Sequence, residues 1–367
     1  MIWFCIGTSG ELIKTYSLMN YCKEKNIPWF AVSTGQSGIH FRKQWEDFQL
    51  PIKNLIFINE TNTDLRTSQA AARWFFSGML KSGQNLRGTI STQTGKPIHS
   101  KEDFWVVHGD TLSSVMGVEY GKRLGIRVAH VESGMTSGSV FEPFPEEICR
   151  RWTSRRADFC FAPDDEAVNG LLSRKIRGQV TRTDGNTLMD SVKVVTQKIP
   201  AQNIPKNPYA LVNIHRYENL HSTSRWNHIS RILLKAADKI QLLIALHPGT
   251  EEKITSDHAL MSELEKKGAM LLSRQPFTHF IHLVANARYL LSDGGSNQQE
   301  SSYLGVPCLL IRDRTESREG MGKNCILSRF DDAVIDSFLS NADRYRFPVE
   351  TSQLSPTERV MEALLKK

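Results

Sequence analysis

Three carboxylates stand where apolar runs give out: Asp110 closes HGD at 108–110, Glu132 lies in VESG at 131–134, and Glu146 lies in FPEE at 144–147. If each follows a buried strand or opens the helix after it, all three come to one edge of one sheet. A poised carboxylate there can take a proton from an unactivated C–H, and an acid on another face can return it. Close packing would raise the proton affinity of at least one of them, because like charges disfavour joint ionisation. Structural roles are the alternative: Asp110 binding a helix or a hydroxyl, Glu132 pairing with an arginine, and Glu146 belonging to an N-terminal capping pattern.

The second half carries groups suited to phosphate. NIHRYEN at 213–219 follows an apolar run; His215 can donate to a phosphate or a leaving oxygen, and Arg216 can stabilise negative charge. In SDGGSNQQES at 292–301, Gly294 and Gly295 permit close backbone approach, Ser296 opens a helix whose N–H groups suit an anion, and Glu300 can accept from ribose hydroxyls. A tight turn, a strand-end histidine and a surface arginine are the plainer readings. His247-Pro248 ends another apolar run, and Thr315 and Glu316 lie in a charge-rich loop that can hold a sugar or another loop. No GxxxxGK[ST] or GxGxxG pattern is present, so no freely dissociating ATP or NAD is encoded. No His, Cys, Asp and Glu cluster has metal-ligand spacing, and neither a metal nor a cofactor is expected.

The elements that must position these groups alternate. IWFCIG at 2–7, WFAVST at 29–34, DFWVVHGD at 103–110, IRVAHVE at 126–132 and DFCFAP at 158–163 read as strands, separated by helix-like segments such as 67–79, 111–125 and 146–157. Short apolar runs between longer amphipathic ones predict a parallel, helix-covered sheet. After a polar stretch at 193–208 the pattern restarts with YALVNIH at 209–215 and continues through 242–248, 268–273, 289–295 and 306–312. The expectation is therefore α/β with two Rossmann-like domains, 1–195 and 196–355, facing across a cleft, and a terminal helix at 356–367 that packs on either one.

Bulk properties narrow the function classes. A chain of 367 residues with 40% hydrophobic and 23% charged residues has the composition of a globular protein. Its net charge of +7 is not gathered into a basic tail or a basic–aromatic stripe, which argues against a nucleic-acid track and suits a small anionic substrate. Six scattered cysteines form no close pair, and no apolar run approaches the roughly 20 residues a membrane span needs. A cytoplasmic protein with reduced thiols and no membrane partner is expected.

Taken in order, GTSGELIK at 7–14, STGQ at 33–36, VHGDT at 107–111, HVESG at 130–134, PFPEEICR at 143–150, DGNTLMDSV at 184–192, NIHRYEN at 213–219, HP at 247–248 and SDGGSNQQE at 292–300 resemble the non-hydrolysing UDP-N-acetylglucosamine 2-epimerase family. The resemblance spans roughly 7–320 and implies a glycosyltransferase-B-like fold, a cytoplasmic homodimer and a UDP-sugar substrate. It implies catalytic roles for Asp110, Glu132, Glu146 and His215, with Lys14, Arg216, Gly294, Gly295, Ser296 and Glu300 binding substrate. The implied reaction removes the sugar C2 proton as UDP leaves, then returns proton and UDP to give the epimer. The chain departs from the family where GTRPE is GTSGE, TGQH is TGQS, EAGLRT is ESGMT and DSGGIQEE is DGGSNQQE, so that Ser9, Ser37 and Thr136 replace arginine, histidine and arginine. Arginine's bidentate contacts have no short-chain substitute. A modified nucleotide sugar, a hydrolysing epimerase, a glycosyltransferase and a weakly catalytic binding protein are the other readings on this fold.

Overall fold

The computed structural model describes residues 1–59, 67–99, 102–136, 144–315, 317–348 and 355–366. These divide into two compact units, Met1–Ser191 with Gln353–Lys367, and Val192–Ser352. The division falls inside a helix, Thr187–Lys198, where the sequence suggested the start of a polar connection. Leu188, Val192 and Val195 are buried at helical spacing, and that apolar face carries the helix through the lysines around it.

The first unit is built on seven parallel strands: β1 (Ile2–Ile6), β2 (Trp29–Ser33), β3 (Leu55–Phe57), β4 (Phe104–His108), β5 (Arg127–Val131), β6 (Phe159–Ala162) and β7 (Gln179–Arg182). Their spatial order is β3-β2-β1-β4-β5-β6-β7. Every residue of β1 and β4 is buried, as expected of strands with helices on both faces. Trp3 and Trp105 fill the core without exposing their indole N–H groups: Trp3 donates to Asp103 at 2.9 Å and Trp105 to the Gly117 carbonyl at 2.9 Å. The terminal helix Pro356–Leu365 belongs to this unit. Thr357 anchors it, its N–H on Asp190 at 2.7 Å and its hydroxyl on Ser17 at 2.7 Å, while Val360, Met361 and Leu364 are buried.

The second unit repeats the plan with six parallel strands: β8 (Tyr209–Asn213), β9 (Gln241–Ala245), β10 (Met270–Leu272), β11 (Tyr289–Ser292), β12 (Cys308–Leu310) and β13 (Cys325–Leu327), in the order β10-β9-β8-β11-β12-β13. In both sheets the strand order reverses once, between β1 and β4 and between β8 and β11. Open α/β sheets bind ligands at such a reversal, beyond the carboxyl ends of the strands. Register brings the sequence motifs there: His108 pairs with Val131, setting Asp110 and Glu132 just past the sheet edge, and Asn213 pairs with Ser292, setting His215 beside Asp293 and Gly294.

Three strands carry no apolar signal strong enough to be read in advance. β3, β7 and β13 are edge strands of three or four residues, and β7 (QVTR) is half exposed. An edge strand packs on fewer neighbours and needs less apolar side chain. No helix among the described residues is long and apolar enough to cross a membrane.

Candidate active site

In the first unit, chain reversal after β1 is fixed by a residue that sequence reasoning passed over. Glu11 is buried and accepts from the N–H groups of Gly7 at 2.7 Å and Thr8 at 2.9 Å, and from the hydroxyls of Thr111 at 2.5 Å and Ser114 at 3.1 Å. It thereby ties the turn after β1 to the turn after β4. Burial pushes its carboxyl above the usual range, partly offset by those hydrogen bonds. The sequence signal was the T-x-x-E capping box at 8–11, which the helix Ser9–Glu24 uses.

Glu132 follows β5 with φ at +60°, a left-handed conformation uncommon outside glycine. Lys14, one turn along the helix Ser9–Glu24, reaches both of its oxygens at 2.8 and 2.6 Å. His108 Nε2 lies 3.3 Å from the same carboxylate, unaligned for a hydrogen bond. Burial, reinforced by the positive charge of Lys14 and by His130, pushes the pKa of His108 well below its usual value, so the ring is neutral. His130 is likewise held neutral at about 4 by burial; its Nε2 contacts the Gly109 carbonyl at 2.7 Å and its Nδ1 Ser154 at 3.1 Å.

Asp110, beyond β4, forms an ion pair with Arg150 of the helix Glu146–Arg156. Arg150 also holds Glu147 at 2.9 Å. Glu147 is fully buried and gathers Arg151 at 2.8 Å, Arg174 at 3.4 Å and the Thr136 hydroxyl at 2.9 Å. Burial alone would raise its carboxyl, but hydrogen bonds from Arg151 and Thr136 and the charge of Arg150 outweigh it and leave the pKa below the usual range. Glu146 begins the helix, and one of its oxygens is buried with no hydrogen-bond partner among the described residues.

Two of the three carboxylates have a cation beside them: Asp110 has Arg150 and Glu132 has Lys14. Lys14, expected to serve phosphate, pairs with Glu132 in this structure. The structural alternative for Glu132, pairing with an arginine, is realised with a lysine.

In the second unit, His215 and Arg216 follow β8, and Gly294, Gly295 and Ser296 follow β11. Asp293 joins the two turns, accepting from the backbone N–H groups of His215 and Arg216, each at 3.0 Å, and from Asn219 Nδ2 at 2.9 Å. Gly294 is required by packing: a Cβ there would lie 2.7 Å from both His215 Cε1 and Asn297 Oδ1. His247 caps the helix Pro248–Ser256 and its ring sits 4.8 Å from that of His215; burial, with His215 and Arg274 nearby, pushes its pKa down to about 4. Arg216 is partly exposed and contacts Glu218 at 3.1 Å.

The helix Gly295–Tyr303 starts at the reversal point with no side chain capping it, leaving its first N–H groups directed past the sheet edge. Ser296 is exposed on its first turn. Glu300 is buried below, accepts from Asn297 Nδ2 at 2.8 Å, and has its pKa pushed up to about 7 by burial. Thr315 holds this helix by donating to Gln298 at 2.6 Å; Glu316 lies outside the described residues. Among the described residues no group of His, Cys, Asp and Glu is arranged to hold a metal ion. Each unit therefore presents a different chemistry at its switch point: carboxylates with buried imidazoles in the first, and an uncapped helix start with exposed His215 in the second.

A family model described as UDP-N-acetylglucosamine 2-epimerase matches residues 86–346. The UDP-N-acetylglucosamine 2-epimerase of Methanocaldococcus jannaschii is 28% identical over 338 residues, covering 86% of this chain and 84% of that protein. That of Neisseria meningitidis is 30% identical over 269 residues, covering 68% of this chain and 70% of its own. The crystal structure of UDP-GlcNAc 2-epimerase from Neisseria meningitidis bound to UDP-GlcNAc superposes with a TM-score of 0.75 at 23% identity over 100% of both chains. At that identity the superposition speaks for the fold, which is glycosyltransferase-B-like with Rossmann-like units.

Proposed function

This chain belongs to the UDP-N-acetylglucosamine 2-epimerase family, and from that membership we propose that it interconverts UDP-GlcNAc and UDP-ManNAc without net hydrolysis. The first unit acts on the sugar and the second on UDP. A carboxylate among Asp110, Glu132 and Glu146 takes the C2 proton as the C1–O bond breaks and its electrons pass to the diphosphate. The C1–C2 double bond of the resulting glycal forms from the C–H pair. A second member of the set protonates the opposite C2 face while UDP adds back to C1. His215 and Arg216 stabilise charge on the leaving diphosphate, the N–H groups of Gly295 and Ser296 receive its oxygens, and Glu300 accepts from the ribose. No redox cofactor or metal enters this scheme.

The observation that carries the reading is Glu132. A non-glycine residue held at positive φ costs on the order of 1–3 kcal/mol and persists where surrounding contacts impose it. Here those contacts are Lys14 at 2.6 Å and the neutral ring of His108 at 3.3 Å, which together aim one carboxylate. Incubation with UDP-GlcNAc in heavy water tests the proposal. Deuterium at C2 together with UDP-ManNAc is expected; free UDP and sugar would mean hydrolysis, and turnover only when an acceptor is added would mean transfer. In the same assay Asp110→Asn should lower C2 exchange on the order of 10²–10⁴-fold while UDP binding changes little. Unchanged exchange removes Asp110 from the scheme.

Thr136 supports a variant of this reading in which the sugar is modified. The family's arginine position is filled by a hydroxyl that turns to Glu147, whose charge is met instead by Arg150, Arg151 and Arg174. A panel of UDP- and other nucleotide-activated 2-acetamido sugars separates the two. We also propose that the protein works as a homodimer in the cytoplasm. Exposed Phe76, Leu80, Ile148 and Trp152 lie on segments flanking the helix Leu112–Leu124, where Tyr120 bonds Gly78 and Trp152 bonds Glu119. Light scattering on the purified chain reads the mass directly.

A further inference from the structure

Asp293 is a wholly buried carboxylate with no cation bonded to it among the contacts described; its charge is met by three N–H donors and one imidazole edge. Oδ1 accepts the backbone N–H of His215 at 3.0 Å, and Oδ2 accepts the backbone N–H of Arg216 at 3.0 Å and Asn219 Nδ2 at 2.9 Å. Donors approach both oxygens, so a neutral amide of the same shape would turn an N–H₂ group toward a donor. A carboxylate, an acceptor at both oxygens, satisfies the set. The same Oδ1 stands 3.4 Å from His215 Nδ1, a charge contact and not a formed hydrogen bond. On the other side Gly294 admits the ring: its missing side chain would lie 2.7 Å from Cε1. His247 lies 4.8 Å away, its ring tilted by 32° and neutral, so it brings no competing cation to this end of His215.

These contacts treat the two ring nitrogens of His215 differently. Nδ1 faces a buried negative charge and favours carrying a proton, whereas Nε2 is not engaged by Asp293. We propose that Asp293 is a positioning residue that holds the Nδ1–H of His215 toward its own carboxylate, so that Nε2 is the nitrogen that takes up a proton from solvent and, in the resulting imidazolium, donates it in a hydrogen bond to the oxygen of the departing and returning diphosphate. The inference rests on the role given to His215 in the proposed reaction. It assigns to the DGG turn a second task beyond admitting phosphate: the aspartate that shapes the turn also orients the histidine arriving from β8.

The first test needs no variant. Nitrogen-15 spectra of the histidine-labelled full chain, with His215 assigned by comparison with His215→Gln, should show the neutral ring as the Nδ1–H tautomer; a ring protonated at Nε2 alone overturns the proposal. The second is a double-mutant cycle with UDP-GlcNAc in the C2-exchange assay. His215→Gln should lower kcat on the order of 10²–10⁴-fold. Asp293→Asn should lose most of that factor with a smaller change in KM, and the double variant should be no slower than His215→Gln within about twofold. Losses that multiply overturn positioning by Asp293 while the role of His215 stands. An unchanged kcat in His215→Gln instead removes the proposed role of His215, and this inference with it. If Asp293→Asn does not fold, the tautomer of the unaltered protein still decides.

Discussion

Glu300 sits 5% exposed on the helix that begins at the DGG turn, with one hydrogen bond, from Asn297, to offset its burial. Burial moves its pKa from 4.5 to about 7, equivalent to about 3 kcal/mol. The folded protein thus holds a proton that the unfolded chain releases near the ordinary value. Stability from this group is fully present below pH 4.5, declines as pH rises, and is lost above about 7. Glu300→Gln keeps an oxygen to accept from Asn297 and removes the titration, so the variant should gain most of that 3 kcal/mol relative to the parent between about pH 5 and about pH 8. Urea unfolding followed by circular dichroism across that range measures the difference. A difference that stays flat with pH refutes the reasoning, because it would mean Glu300 ionises alike in both states. The same linkage reaches the ligand: ribose hydroxyls donate to the ionised form, so UDP affinity should rise with pH, level off above about 7, and lose this dependence in Glu300→Gln.

Other predictions come from the same packing. Glu147→Gln should destabilise the first unit by about 3–5 kcal/mol, because three arginines lose their buried anion. Since the carboxyl is held below its usual pKa, the contribution exists above pH 4.5 and fades as pH falls through the lower, folded value; urea unfolding of the variant should therefore approach the parent in acid. Gly294→Ala keeps an accessible backbone conformation, at φ −87°, but places a methyl against His215 and Asn297. It should cost about 1–3 kcal/mol in stability and lower kcat more than the melting temperature suggests, because the displaced group is the ring of His215.

The strands with every residue buried were legible in the sequence because a two-sided core demands an unbroken apolar run, as in IWFCI, FWVVH and YALVN. The order of their motifs was enough to suggest the family, since nine short segments in sequence constrain far more than any one. Edge strands β3, β7 and β13 were not legible, since a strand with one neighbour can pair over only three or four residues, and β7 is polar besides. Helix Thr187–Lys198 was missed for the converse reason: its lysines and threonine mask a buried stripe of Leu188, Val192 and Val195.

At the sites, the sequence by itself determined which side chains stand at strand ends: Asp110, Glu132, His215 and the glycines after β11. Those positions follow from periodicity and turn chemistry, which are local. What only tertiary structure decided is what each group faces. That Lys14 meets Glu132, 118 residues away, that Arg150 joins Asp110 to Glu147, and that Asp293 sits under His215, 78 residues distant, are consequences of sheet order and register. Charge interactions depend on separation in space and on local polarity, and neither is written along the chain until the strands pair.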